Sequence, residues 1–198
     1  MAVYRNLIVA STASGGPTVK VPVHGAVDLQ QTYTELRART ILRKADGGAV
    51  LRQSWSGKLR TEISGKGLVP PGLQALCSTT GTVTVSCAAL RSVRSASNVI
   101  TIPSARRTDL AITTKAGASA TGKSWYARQW DGDRYATATG TTASGTGHNV
   151  VSITLASGEA HDSYEVLYAP KFTGYAELTA DNFVQNDGWS WQLVVEEA

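Results

Sequence analysis

Residues Gly117 to Ser124 read G-A-S-A-T-G-K-S and meet the phosphate-loop pattern G-x-x-x-x-G-K-[ST] at every fixed position. In that chemistry Gly117 and Gly122 let backbone N–H groups close around phosphate oxygens, Lys123 reaches the β- and γ-phosphates, and the Ser124 hydroxyl helps hold Mg²⁺. Such a loop needs a buried parallel strand before it and a helix N-terminus after it. Leu110 to Thr114 is a candidate for the strand. Downstream the requirement is not met, because WYARQWDGDRY reaches an Asp-Gly turn within six residues and Trp125, Tyr126 and Trp130 trace no capped helical stripe. Neither VVSITLASG nor NVITIPSAR ends in a metal-binding Asp. The match is therefore read as chance, on an exposed loop, and no cofactor is expected.

The other residues able to do chemistry are scattered. His161-Asp162-Ser163 places three triad residue types side by side, but a triad is defined by roles in space, and neighbours on a strand point to opposite faces. Asp131-Gly132-Asp133 reads as a turn, since no 12-residue calcium loop with a closing Glu surrounds it. Glu159, Glu165 and Glu177 have no spacing that selects a glycosidase pair. The histidines, His24, His148 and His161, sit singly, so Cys77 and Cys87 lack partners for a zinc site. Those two cysteines bracket STTGTVTVS; they either bridge across a hairpin turned at Thr80-Gly81 or remain free thiols. Trp55, Trp125, Trp130, Trp189 and Trp191 could offer flat faces to a sugar, although Trp on strands more often anchors a core or an interface. Arg91, Arg94, Arg106 and Arg107 flank NVITIP with few aromatics among them, and serve salt bridges to a neighbouring subunit as well as a nucleic-acid groove. An enzyme is not expected, nor is a small-molecule substrate or a metal.

The elements that would position these residues are mostly strands. Of the 198 residues 42% are hydrophobic, enough for a core, and only 17% are charged, while Gly, Ser, Thr and Ala are abundant. The strongest hairpin signal is TILRKADGGAVLRQSW, with strands near 40–44 and 49–55 around Ala45-Asp46-Gly47-Gly48. Pro17 to Val23 alternates apolar and polar, and its two prolines mark an edge strand or one near a strand boundary. Ala2 to Val9, TVTVSCAAL, NVITIP, VVSITLA, YEVLYAP, GYAEL and WSWQLVVEE are further strands; in the last, Trp189, Trp191 and Leu193 share one face. DLQQTYTELRA admits two readings: a helix capped by Asp28 with Leu29, Tyr33 and Leu36 at helical spacing, or a strand over TYTELRART. No run approaches the ~18 apolar residues of a membrane span, and the N-terminal stretch is too weakly apolar for a secretion signal. The expectation is a mainly β chain, an antiparallel sandwich or barrel with long loops and at most one or two short helices. Its regions are a β-rich N-terminal region over residues 1–114, a Gly/Ser/Thr-rich loop region over 115–147, and C-terminal strands over 148–198 that complete the same β domain.

The segment WSGKLRTEISGKGLVPPGLQALC, Trp55 to Cys77, with the strand TVTVSCAALRSV, the Arg106-Arg107 pair and YEVLYAPKFTGYAEL, Tyr164 to Leu178, resembles structural tail proteins of tailed bacteriophages. The resemblance implies a β-rich, sandwich-like or barrel-like subunit that repeats around a tail axis in a tube, its distal end or the baseplate. It implies a virion protein assembled in the host cytoplasm. Its partners would be copies of itself and other tail or baseplate proteins, with DNA passing through a lumen. No functional residues carry over, because the matched positions are turn and packing positions. A lumen that passes DNA avoids positive walls, whereas the chain carries +4, so its arginines should face protein partners or the outer side. Loops 56 to 76 and 115 to 147 are long and punctuated by Gly or Pro, and are expected to make the inter-subunit contacts. Lys58, Arg60, Pro70, Pro71, Lys123 and Trp125 are the candidate interface residues on them. A carbohydrate- or receptor-binding β-module is the alternative function.

Overall fold

The computed structural model describes residues 7–21, 27–77, 81–102, 125–130, 135–137, 141–144, 150–153, 163–185 and 187–198. Among them the chain forms fourteen strands and one four-residue helix. The mainly antiparallel β expectation holds, and the sheets are open and sandwich-like rather than closed into a barrel. The chain divides into two compact units, unit 1 built on Ser86–Phe172 and unit 2 on Ile8–Val85 together with Thr173–Ala198.

Unit 2 holds β1 (Ile8–Ser11), β2 (Thr18–Lys20), β3 (Gln30–Arg43), β4 (Ala49–Gly67), α1 (Gln74–Cys77), β5 (Val83–Ser86) and, later in the chain, β13 (Lys171–Val184) and β14 (Gly188–Glu197). Their strands form one sheet in the order β2-β1-β5-β13-β14-β4-β3. The proline-flanked β2 is an edge strand, where a missing N–H costs no ladder bond. Period-2 burial sets the core: Leu59, Thr61 and Ile63 of β4 and Trp191, Leu193 and Val195 of β14 are buried. Leu73 and Leu76, on and beside α1, add to it. Gly65 stands opposite Trp191 in the β4–β14 register, and a Cβ on it would lie 2.7 Å from the indole. The glycine thus makes room for the largest buried side chain of the unit.

Unit 1 holds β6 (Arg91–Ser95), β7 (Val99–Thr101), β8 (Trp125–Trp130), β9 (Tyr135–Thr137), β10 (Thr141–Ser144), β11 (Val150–Ile153) and β12 (Tyr164–Tyr168). They make a four-stranded sheet β6-β12-β8-β9 and a three-stranded sheet β10-β11-β7. Ile100 and Ile102, on and just after β7, pack with Ala127, Tyr164, Val166 and Tyr168 from the larger sheet, so the core of the unit joins the two layers.

Two expectations are corrected and two open alternatives are decided. The Asp28–Leu36 helix is not formed: Gln30 to Arg43 is strand, paired from Gln30 opposite Ser64 onward, with Gln31 and Tyr33 lined up with Ile63 and Thr61. Loop 56 to 76 is strand as far as Gly67, and from Leu59 onward it alternates, with Leu59, Thr61, Ile63, Gly65 and Gly67 buried. Within region 115–147, β8, β9 and β10 are strands rather than loop. Cys77 ends α1 and does not face Cys87 across a hairpin; both are free thiols.

Candidate functional site

The longest paired element among the described residues is the β3–β4 hairpin, and its two halves differ. Near the sheet, β4 pairs with β14 from Gly67 to Arg60 and with β3 from Ser64 on, so it is held on both sides from Ser64 to Arg60. Past Arg60 the β14 neighbour ends, and β3 and β4 continue as a two-stranded ribbon to Arg43 opposite Ala49. At ~3.3 Å per residue the stretch from Lys58 to Ala49 projects about 30 Å. The tip closes as the sequence predicts: the Lys44 N–H donates to Gly48 O at 2.8 Å, and the Gly48 N–H to Asp46 Oδ1 at 2.9 Å.

The joint between sheet and ribbon is built from irregular register. Leu36 pairs with Lys58, Ala38 with Trp55 and Arg39 with Gln53, so β4 carries extra residues at two places. Gly57, within the first, has φ 87°, the left-handed conformation that a bulge demands and that a side chain would strain. Beside it the base is tied down: the Lys58 ammonium donates to the Ala198 carbonyl, and the Leu59 N–H to Glu197 Oε2 at 2.7 Å. Arg60 bridges Glu62 at 2.8 Å and Glu196 at 3.1 Å, leaving its buried Nε without a partner among the described residues.

Beyond the joint, both faces of the ribbon meet water. Directly opposed residues share a face, so Ile41 and Leu51 lie together on one side and Leu42 and Val50 on the other. Ile41 is 62% and Leu51 54% exposed, and Leu42 and Trp55 are exposed too. Arg39 and Arg43 flank the Ile41–Leu51 pair at alternate positions of β3, on the same face. Between residues 37 and 58 the chain carries Arg37, Arg39, Arg43, Lys44, Arg52 and Lys58 against the single carboxylate Asp46. Arg37 is paired with Glu35 at 2.8 Å, an exposed bridge worth little. This arm is apolar and basic at once, and a two-stranded ribbon of this kind is at best marginally stable in water.

A second exposed apolar group lies at the opposite end of β4. Leu68, 78% exposed, and Val69 follow the strand, and Val27 donates its N–H to Lys66 O at 2.8 Å. On the β13–β14 hairpin Phe183 opposes Trp189 with ring centroids 5.4 Å apart, and Phe183 and Val184 are both exposed. Asp28 and Asp181 are exposed here, and Asp187 holds Lys66 at 3.0 Å. An open cleft of about 760 Å³ runs alongside, lined by Asp28, Gln30, Ser64, Lys66, Ser190 and Gln192 among others.

The remaining sequence candidates are placed as follows. Gly117, Gly122, Lys123 and Ser124 lie outside the described residues, as do His24, Arg106, Arg107, Asp131 to Asp133, His148, Glu159, His161 and Asp162. Trp125 opens β8, with its backbone opposite Tyr168. Pro70 is exposed and Pro71 buried, beyond the end of β4. Glu165 is buried at the centre of its sheet, with Arg94 opposite on β6 at 2.9 Å and Arg128 opposite on β8 at 3.9 Å. Two arginines across one carboxylate knit three strands together, a structural use of the residue. Glu177 lies on β13. Burial pushes the Cys77 thiol up; a backbone hydrogen bond from Leu178 opposes this and the nearby Glu177 charge adds to it. Among the described residues no group of His, Cys, Asp and Glu is placed to hold a metal ion, and no helix is long and apolar enough to cross a membrane.

Sequence reasoning missed the arm as an arm and the Phe183–Val184 patch altogether. The signal for the second was an apolar pair, Phe183-Val184, isolated in the polar run TADNFVQND. No family model, curated protein or solved structure matches the chain.

Proposed function

We propose that this chain is a structural subunit of a tailed-bacteriophage virion, a homo-oligomeric tail or baseplate component assembled in the host cytoplasm and acting through contacts rather than chemistry. The observation that carries the reading is the β3–β4 arm. Its two faces hold Ile41, Leu42, Leu51 and Trp55 in water, and exposed apolar surface on a projecting element marks an interaction site. The motif resemblance to tail proteins adds the virion context. Sedimentation velocity and negative-stain microscopy of the purified chain test the assembly half: closed rings or stacked tubes are expected, and a chain that stays monomeric at about 100 µM, where an interface of Kd below ~10 µM would be filled, sinks it. Mass spectrometry of purified virions tests the other half.

Trp55 on the arm favours a second reading, a carbohydrate- or receptor-binding module, since an exposed indole can stack on a sugar ring. A monomer whose fluorescence is quenched by glycans, with the effect lost in Trp55→Ala, would establish that reading instead.

A further inference from the structure

We infer that the arm of one copy docks on the far end of the β4 sheet of the next copy, over Val27, Leu68, Phe183 and Val184. The contact is head-to-tail, and it rests on the assembly reading above. Three observations lead to it. The arm and the far-end patch are both exposed and apolar, and neither is covered by the described residues of the chain itself. Their charges are opposite: the arm carries Arg39, Arg43, Lys44 and Arg52 with Asp46 alone against them, while the far end presents Asp28, Asp181 and Asp187 against Lys66. The third is position. Tip and patch stand at the two ends of one strand, Ala49 and Gly67, roughly 60 Å apart at ~3.3 Å per residue.

That separation fixes the symmetry of the contact. With β3 and β4 paired through both bulges, the arm extends away from its own far end, so the complementary patches meet between copies. Two different patches in contact make a heterologous interface, which closes into a ring or extends into a filament according to the rotation per step. The occupant is therefore a second copy of this chain. Nucleic acid is the rival, because a two-stranded basic ribbon also fits the major groove; the paired apolar side chains on both faces and the acidic acceptor on the same unit favour protein.

The test uses two dead-ended variants of the full chain. Ile41→Glu with Leu51→Glu spoils the arm and spares the acceptor; Asp181→Lys with Phe183→Lys does the reverse. All four positions are exposed, and circular dichroism checks the fold. Each variant alone is expected to self-associate at least about tenfold more weakly than the wild type, a loss of about 1.4 kcal/mol or more. An equimolar mixture is expected to form dimers and stop there, because one intact arm meets one intact acceptor. Should either variant misfold, the charge pair Arg39→Glu with Arg43→Glu is compared with a chain that also carries Asp28→Lys and Asp181→Lys. The first should weaken assembly and the second restore it. A mixture that stays monomeric, or an arm variant that assembles as the wild type does, overturns the docking while leaving the assembly reading standing. A wild type that never assembles overturns both. Arm-dependent retardation of duplex DNA by a chain that does not self-associate also overturns it, in favour of a groove-binding ribbon.

Discussion

Between Leu59 and Gly67, β4 buries every second side chain and over Arg60 to Ser64 is paired on both edges, whereas between Ala49 and Ser56 the same strand leaves both faces in water with one neighbour only among the described residues. β4 stays paired with β3 through both bulges. What changes is the third strand: β14 accompanies β4 as far as Arg60 and stops. The difference teaches that a β-strand acquires a core side from its neighbours, not from its own pattern, and that surface without such neighbours is free for a partner.

Substitutions at the root should break the fold, and the same type of change in the arm should not. Trp191→Ala removes the largest buried side chain of unit 2, and is expected to cost about 3–5 kcal/mol in denaturant unfolding. Gly65→Val drives a branched side chain into that indole, and should cost about 1–3 kcal/mol with the tryptophan emission shifted. The root also protects its cysteine. Because burial raises the Cys77 thiol, less thiolate is present at a given pH in the folded chain. Its alkylation should be slower than in the unfolded chain at pH 8, and the gap should narrow as the pH rises. Leu51→Ala, in the arm, should change unfolding of the monomer by less than about 0.5 kcal/mol. If it costs as much as a core truncation, the arm is packed within its own chain and the contrast fails.

The arm's hairpin and most core strands are legible in the sequence, whereas the arm's projection from the sheet and the root segments of β3 and β4 are not. TVTVS, YEVLY and WSWQLVV alternate or run apolar because one face or both are buried, and alternation is the trace burial leaves. The ADGG turn is legible too, since its Asp and Gly satisfy a local geometry. The ribbon carries no such trace. LRQSWSGK mixes apolar and polar residues without period because neither face is inside, so nothing in it says that the hairpin stands clear of the sheet, and the Gly and Pro punctuation beyond residue 55 reads as loop although the chain is strand to Gly67. At DLQQTYTELRA, Leu29, Tyr33 and Leu36 fit a helix, and the deciding partner, β4, lies about thirty residues away along the chain. Lys58 and Arg60 draw attention as charges in a loop, but the C-terminal strand claims them with Ala198 and Glu196, a pairing across more than 130 residues that no local pattern encodes. The Phe183–Val184 patch stays hidden because the sequence cannot say that the hairpin end it occupies is uncovered.

The placement of β14 also sets a clock for biosynthesis. The β3–β4 hairpin closes over a short turn and can form within microseconds of emerging from the ribosome. Its apolar face, with Leu59 and Ile63, then waits for a neighbour that is still unmade, since β14 occupies the position beside it and is the last strand of the sheet to be translated. At ~5–20 residues per second the interval from Gly67 to Glu197 is roughly 7 to 26 s. During that time a nascent chain displays both its arm and its open root. The arginines and lysines crowded onto the arm then give like chains a reason to repel until the sheet has closed.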